Sequence, residues 1–489
     1  MTRTYPVARY MPWLLGVCAF IYLGLLAVKS YSGVFTSTDS ADFLMASTVW
    51  AIPQTYGYPL YILLGHFLNL FPGDLAAKMT VILSALPAAI SVSFVFLIAK
   101  RLTNRTVLSV VVALVLLSTA VFLTEATITK GYALTAMFLV IAYYCYLREW
   151  RLRTTLFLGL ATAIHMMVIF IAILWLIGDR RWRYWLGKPL LVYIATGLLP
   201  YVMIPVLMAL DTPRFMAGSL SIENLKGYWS GTGRAIIGML SVFDVPSRWL
   251  LLGKILLVST GLAFIPLLQY KIYQLHQRHI AVLVAAPVFM LWYVATCLDV
   301  QVWTYLAVGA PFIAILVGLG LARMRNWHMS VIALSALCLI VVNGVFLNAN
   351  VITRDNPYMT DYKQSLEALP DNSVVVVVPG AYSLGLFYTI ADGKNLVPLV
   401  YSYLELDSLM GMKGYDTYLE KHYGVTWPNT LEGVQQCLDT NRTVYIVPVE
   451  HSQIQDCFVY AEPIEYTKLN RVVGLTGQQP EVLEMSTNE

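Results

Sequence analysis

The sequence predicts a polytopic α-helical membrane protein with about nine full spans, a re-entrant helical hairpin and a small C-terminal α/β domain outside the membrane. Three observations predict this class. Hydrophobic residues make up 58% of the 489 and charged residues only 12%, against roughly 25% charge in soluble proteins. Apolar runs of spanning length recur through residues 1–350. After Asn350 the pattern changes to short β-branched runs alternating with amphipathic stretches. The composition excludes a globular enzyme on a single anchor. A net charge of +4 is small, so its placement matters more than its total, and no nucleic-acid partner is expected.

Full crossings are predicted at Trp13–Val28, Leu75–Ala99, Val107–Leu123, Tyr132–Leu147, Leu190–Leu210, Trp249–Gln269, Ile280–Cys297, Tyr305–Ala322 and Met329–Leu347. The N-terminal run lacks a small-residue cleavage site and is expected to be a retained span. Basic residues divide the connections into two sets. One holds Arg3, Arg9, Lys100, Arg101, Arg105, Arg148, Arg151, Arg153, Arg180, Arg181, Arg183, Lys188, Lys271, Arg278, Arg323 and Arg325. The other holds Lys29, Lys130, Arg214, Lys226, Arg234 and Arg248 over a longer stretch. The first set is expected in the cytoplasm by the positive-inside rule. The N-terminus then faces the cytoplasm of a bacterial or archaeal membrane.

One segment breaks the alternation. Thr155 to Ile177 is long enough for a crossing, yet both of its flanks are strongly basic. Two half-helices turning near Ala163–His165 would return the chain to its own side, and such backbone is tolerated where protein surrounds it. The alternative is a single crossing with one misplaced basic loop. With the hairpin, three parts lie outside: the loop 30–74, the loop 211–248, and everything from 351 to 489. In the last, Ser373–Val378, "LVPLV" and "TVYIVPV" read as strands. They alternate with helical stretches, which suggests a mainly parallel sheet. No phosphate loop or nucleophile motif accompanies them, so a structural or acceptor-docking role is expected.

In "STDSADFLMA", Asp39 and Asp42 share a helix face. They suit an N-cap with a capping-box partner, and equally a pair of reacting carboxylates. The following "GYPLYILLGHFLNLF" is short for a crossing and suits an interfacial helix, with Tyr58, Tyr61 and His66 at headgroup depth. Together they would cap a cavity fitting a substrate with one polar and one lipid end.

These residues resemble a known family. Asp39-Ser40-Ala41-Asp42-Phe43, then Gly57-Tyr58-Pro59-Leu60-Tyr61, then Lys78 before Ser84-Ala85-Leu86, follow the first exoplasmic loop of a broad family of multi-pass proteins. It includes a eukaryotic transmembrane protein O-mannosyltransferase and belongs to the GT-C glycosyltransferase superfamily. "GLATAIHM" with His165, "GLLPYVMIPV" and "LDVQVWTYLAVGAPF" with Asp299 extend the likeness. The chain departs from the pattern at Asp42 (Glu in the family), at "PQTYGY", which lacks the family's His, and at "TKGY", where Lys130 replaces an acid.

The resemblance implies sugar transfer from a polyprenyl-phosphate donor to an acceptor hydroxyl on protein, lipid or glycan, with inversion. Asp39 would be the base, with Asp42 orienting acceptor or sugar. The departing phosphate needs positive charge, for which the candidates are Lys78, Arg214, Arg234, Arg248 and Lys254. Lys254 lies inside an apolar run, where a charge is costly and often functional, although snorkelling also explains it. Arg214 and Arg248 also read as surface charges. Asp299 suits sugar hydroxyls or a helix cap, and His165 suits a structural hydrogen bond. No cluster has metal-ligand spacing, so neither a metal nor another cofactor is expected. Cys437 and Cys457 are expected to form a disulfide on the oxidising side. A lipid-sugar flippase and a non-catalytic assembly partner are the rival classes.

Overall fold

The computed structural model describes residues 7–29, 43, 58–68, 73–202, 265–267, 277–296, 305–347 and five strands between 374 and 485. Its helices are α1 (Val7–Lys29), α2 (Pro59–Leu68), α3 (Gly73–Thr103), α4 (Thr106–Ser118), α5 (Ala120–Thr127), α6 (Tyr132–Leu147), α7 (Arg151–Ile164) and α8 (Val168–Asp179). They continue with α9 (Trp182–Trp185), α10 (Lys188–Tyr193), α11 (Gln277–Thr296), α12 (Leu306–Leu321) and α13 (Asn326–Leu347). Among the described residues, Tyr10–Ala27, Ile82–Thr103 and Asn326–Val345 are single helices long and apolar enough to cross a membrane. The expected spans at 203–210, 249–264 and 268–269 lie outside the described residues.

The helix α3 is the hub. It packs against α1, α4, α5, α6 and α12. Its contact with α1 is tight because a Cβ on Gly16 would collide with the Ser93 hydroxyl, which itself donates to the Pro12 carbonyl at 2.8 Å. Two outer helices, α1 and α13, keep apolar residues such as Trp13, Ile21, Leu334 and Val341 exposed. That is the surface a hydrocarbon solvent requires.

The expected span over Val107–Leu123 is bent: α4 and α5 meet at Thr119 at 66°. The cause is local. Ser118 and Thr119 hydroxyls donate back to the Val115 carbonyl at 2.8 and 3.0 Å, competing with the helical ladder. The Ser118 carbonyl instead accepts the Asn343 side-chain amide of α13 at 2.8 Å. A backbone group freed by the bend is thereby satisfied without water.

The segment 151–179 forms a hairpin. α7 ends at His165, whose backbone is extended, and α8 starts at Val168. The turn thus falls at His165–Met167, overlapping the expected position. Its two ends meet. Thr154, in the first turn of α7, lies 3.1 Å hydroxyl-to-hydroxyl from Tyr184 of α9. Arg181, just after α8, donates to both carboxylate oxygens of Glu149, just before α7, at 3.0 and 2.9 Å. The chain therefore returns to its basic face.

Beyond the hairpin, α10 runs into a π-helical turn at Ile194–Leu198. Here Gly159 and Gly197 let two backbones touch: a Cβ on Gly197 would come within 3.0 Å of the Gly159 Cα. Tyr201 donates to the Thr162 carbonyl at 2.7 Å.

Strands β1 (Val374–Val377), β2 (Val397–Val400), β3 (Val444–Val447), β4 (Val472–Val473) and β5 (Leu483–Met485) form one sheet of order β2-β1-β3-β5-β4. β1 pairs in parallel with β2 and β3, placing Val374 opposite Val397 and Val444. The expected sheet is corrected to a mixed one, because β5 joins β3 antiparallel and β4 joins β5 antiparallel. Pro398 sits in β2, at the edge of the sheet, where proline is tolerated.

Candidate active site

At the end of the hairpin opposite the basic face, four parts of the chain converge. The first is the start of α2. Tyr58 takes a left-handed backbone, φ 45°, a conformation costing a side-chain-bearing residue of order 1–3 kcal/mol. Pro59 then opens the helix, and the Tyr58 carbonyl accepts the Ile62 N–H at 3.0 Å. The result buries Tyr58 and Tyr61 on one side of α2. Phe43, next in sequence after Asp42, is 1% exposed and meets both rings edge-on at 4.7 and 5.0 Å. Leu134, Met137 and Ile164 close the cluster from α6 and α7.

The second part is the hairpin tip. The His165 ring lies 5.2 Å from Tyr58, 5.5 Å from Tyr132 and 5.7 Å from Tyr305. Its Nδ1 accepts the Met167 N–H at 3.3 Å, and this bond shapes the tip. The third part is the N-terminus of α6, and the fourth is Tyr305 before α12, 5.1 Å from Tyr132. Tyr305 thus ties a distant stretch of sequence to the hairpin.

Charge is buried here too. Lys130 is 2% exposed, and Glu125, in α5, is 1% exposed. Ser84 of α3 donates its hydroxyl to the Lys130 carbonyl at 3.1 Å. The Lys130 ammonium lies 6.0 Å from the Tyr132 ring centroid, within reach of a cation–π attraction. Among the described residues the buried Tyr61 hydroxyl has no hydrogen-bond partner.

Of the sequence-predicted site residues, Tyr58, Tyr61 and His165 come together. His66 is half-buried in the last turn of α2, about 140° round the helix from Tyr61. Lys78 lies in α3, where only its helical backbone is described. Asp39, Asp42, Arg214, Arg234, Arg248, Lys254, Asp299, Cys437 and Cys457 lie outside the described residues. Cys18, Cys145 and Cys338 are free thiols. Among the described residues no three potential metal ligands gather. Phe43, Tyr132, Tyr305 and Glu125 were not singled out from sequence. Only Glu125 carried a signal, as a charge inside the otherwise apolar "VFLTEATI".

Comparison with known proteins bears directly on this arrangement. Residues 39–185 match the model of the protein O-mannosyl-transferase TMEM260 N-terminal domain. The crystal structure of ArnT from Cupriavidus metallidurans in the apo state is similar with a TM-score of 0.65 at 11% identity, over 99% of this chain and 100% of that one. The same protein bound to undecaprenyl phosphate gives a TM-score of 0.62 at 11% identity, over 96% of this chain and 99% of that one. The fold of the chain is that of ArnT. No curated protein sequence matches the chain. The family match starts at Asp39 and ends at Trp185. It therefore takes in every described member of the cluster around His165 except Tyr305.

Proposed function

We propose that the protein is an integral-membrane, inverting glycosyltransferase that moves a sugar from a polyprenyl-phosphate donor to an acceptor hydroxyl. One observation carries the reading. The match to a protein O-mannosyl-transferase domain begins at Asp39, and Phe43, four residues on, is locked among Tyr58 and Tyr61 beside the hairpin tip. The likeness to ArnT, solved with undecaprenyl phosphate, supports a polyprenyl-phosphate partner, and the family match favours mannose.

In this reading Asp39 removes the acceptor hydroxyl proton as the oxygen attacks the anomeric carbon. The bond from that carbon to the phosphate oxygen breaks on the opposite side, and its electron pair leaves with the lipid phosphate. A phosphate monoester is a weak base, so charge stabilisation matters more than protonation. Lys78, Arg214, Arg234, Arg248 and Lys254 are the candidate cations. Asp42 orients the acceptor or sugar, and Asp299 and His66 stand as further sugar or acceptor contacts. No metal is assigned a step. The basic connections face the cytoplasm and the chemistry takes place on the other side.

The test is product release. Purified protein given polyprenyl-phosphate mannose and a hydroxyl-bearing acceptor should liberate polyprenyl phosphate in proportion to glycosylated acceptor. Movement of intact donor between leaflets of a vesicle, without cleavage, would replace this reading with that of a flippase.

A further inference from the structure

The basic end of the hairpin carries far more positive charge than its own acids answer. Between Arg148 and Lys188 the acids are Glu149 and Asp179, and Arg181 engages both. Arg148, Arg151, Arg153, Arg180, Arg183 and Lys188 are exposed and form no ion pair among the described residues. These charges are grouped. The guanidinium groups of Arg148 and Arg153 lie 5.9 and 4.6 Å from the Trp150 ring centroid. Those of Arg151 and Arg181 lie 5.3 and 4.6 Å from the Tyr184 ring centroid, which ties the start of α7 to α9 in one face. A guanidinium held over an aromatic ring keeps its in-plane N–H donors for a phosphate, which it can grip bidentately. Of the six exposed cations, Arg148 alone spends side-chain donors within the described residues, on the Tyr144 hydroxyl at 3.2 and 3.0 Å.

Apolar groups are interleaved with the charges. Trp150, Leu152, Trp182 and Leu186 are between 42% and 56% exposed. On α8, Ile173 and Ile177, one turn apart, are exposed as well, and the helix runs on from them to Arg180 at its end. An apolar stripe leading to tryptophans and arginines complements a lipid in each of its parts: acyl chain, interface and anionic headgroup. A nucleic acid or an acidic protein segment would answer the charges and leave the isoleucines facing water. We propose that the basic end of the hairpin is a docking face for anionic phospholipid, its headgroups held by the arginines of α7, of α9 and of the turn between α8 and α9, and an acyl chain lying along Ile173 and Ile177. The proposal uses the chain's place in a membrane and is independent of the transfer reaction.

The test is lipid binding by the full-length protein in detergent, read by native mass spectrometry. Phosphatidylglycerol and phosphatidylcholine with the same acyl chains are the two probes. Wild type should bind phosphatidylglycerol about tenfold or more tightly, at roughly fivefold per basic residue engaged. Arg153→Gln combined with Arg183→Gln should lower that preference by about tenfold or more, and lysine at both positions should keep most of it. Arg323→Gln combined with Arg325→Gln, at exposed arginines of another connection, should leave it nearly unchanged. A wild type indifferent to the headgroup overturns the proposal. So does an unaltered preference in the folded Arg153→Gln, Arg183→Gln protein. Equal loss in the Arg323→Gln, Arg325→Gln protein overturns it too, because the preference would then follow net charge and not this face. If the first double variant does not fold, Arg183→Gln alone supplies the answer, with an expected loss of about fivefold. Polyglutamate bound by wild type and not by the double variant, with no headgroup preference in either, would replace the lipid with an acidic protein segment.

Discussion

The two ends of the hairpin solve opposite problems. At the basic end the buried Asp179 carboxylate is answered by three partners. Asp179, with no exposed side chain, accepts the Tyr146 hydroxyl, the Trp185 indole N–H at 3.0 Å and the Arg181 guanidinium at 2.9 and 3.2 Å. Arg181 passes on to Glu149 and lies over the Tyr184 ring at 4.6 Å. Burial works against the Arg181 charge, but the bonds to Glu149 and Asp179 outweigh it and hold the guanidinium above its ordinary pKa. At the tip the contacts are largely edge-on aromatic, the Tyr58 backbone is left-handed, and the Tyr61 hydroxyl has no partner among the described residues. Left-handed backbone and unpartnered buried polar atoms occur at both ends, at Glu149, Arg180 and the Arg181 Nη2 as well as at Tyr58 and Tyr61; what differs is the bonding, an ionic network that rigidifies against edge-on aromatic contacts. The difference teaches that the basic end is a clamp, and the tip is where the proposed reaction would place its working surface.

The largest stability effect should come from breaking the clamp. Asp179→Ala leaves Arg181, Tyr146 and Trp185 without their common acceptor, and should cost about 3–5 kcal/mol. Thermal melting in detergent checks this, and an unchanged melting temperature would remove the clamp from the account. Next comes His165. His165→Ala deletes three ring contacts worth about 0.5–1.5 kcal/mol each, whereas His165→Phe should restore the ring contacts but not the bond from the Met167 N–H, and so recover part of the stability. Transfer activity of the Phe variant then shows whether the imidazole has any role beyond packing. Smaller still is the bend at Thr119. Asn343→Leu removes the amide that satisfies the Ser118 carbonyl and should cost about 1 kcal/mol, read as a small fall in melting temperature. A Leu variant as stable as wild type would mean that the freed carbonyl has another partner.

How much of this was legible in the sequence follows from which interactions are local. The hairpin could be read because basic residues flank both ends of one apolar run, and its turn was placed to within two residues. The bend at Thr119 could not, because Ser118 and Thr119 look innocuous until Asn343, over two hundred positions away, takes up the carbonyl. Strands β1 to β3 stood out as β-branched runs, whereas β4 and β5, of 2 and 3 residues, carry too little pattern to register. Tyr58 and Tyr61 were marked by their motif. Tyr132 and Tyr305 sit in apolar runs, where an aromatic residue reads as core, and only the fold brings both to His165. Phe43 was read as part of a motif whose acids drew the attention. Its burial against two tyrosines ties position 43 to the start of α2.

The central claim is that Asp39 is a base rather than a helix cap. Asn caps a helix about as well as Asp, yet it accepts no proton from an attacking hydroxyl, and a positioned base contributes roughly 10²–10⁴-fold. The decisive measurement is sugar transfer from polyprenyl-phosphate mannose by Asp39→Asn, alongside its melting temperature in the same detergent preparation. The account predicts an unchanged melting temperature with transfer reduced by about 10²–10⁴-fold, and a lesser loss for Asp42→Asn. Near-normal transfer by Asp39→Asn would contradict it, and the acidic pair would be left as the capped end of a helix.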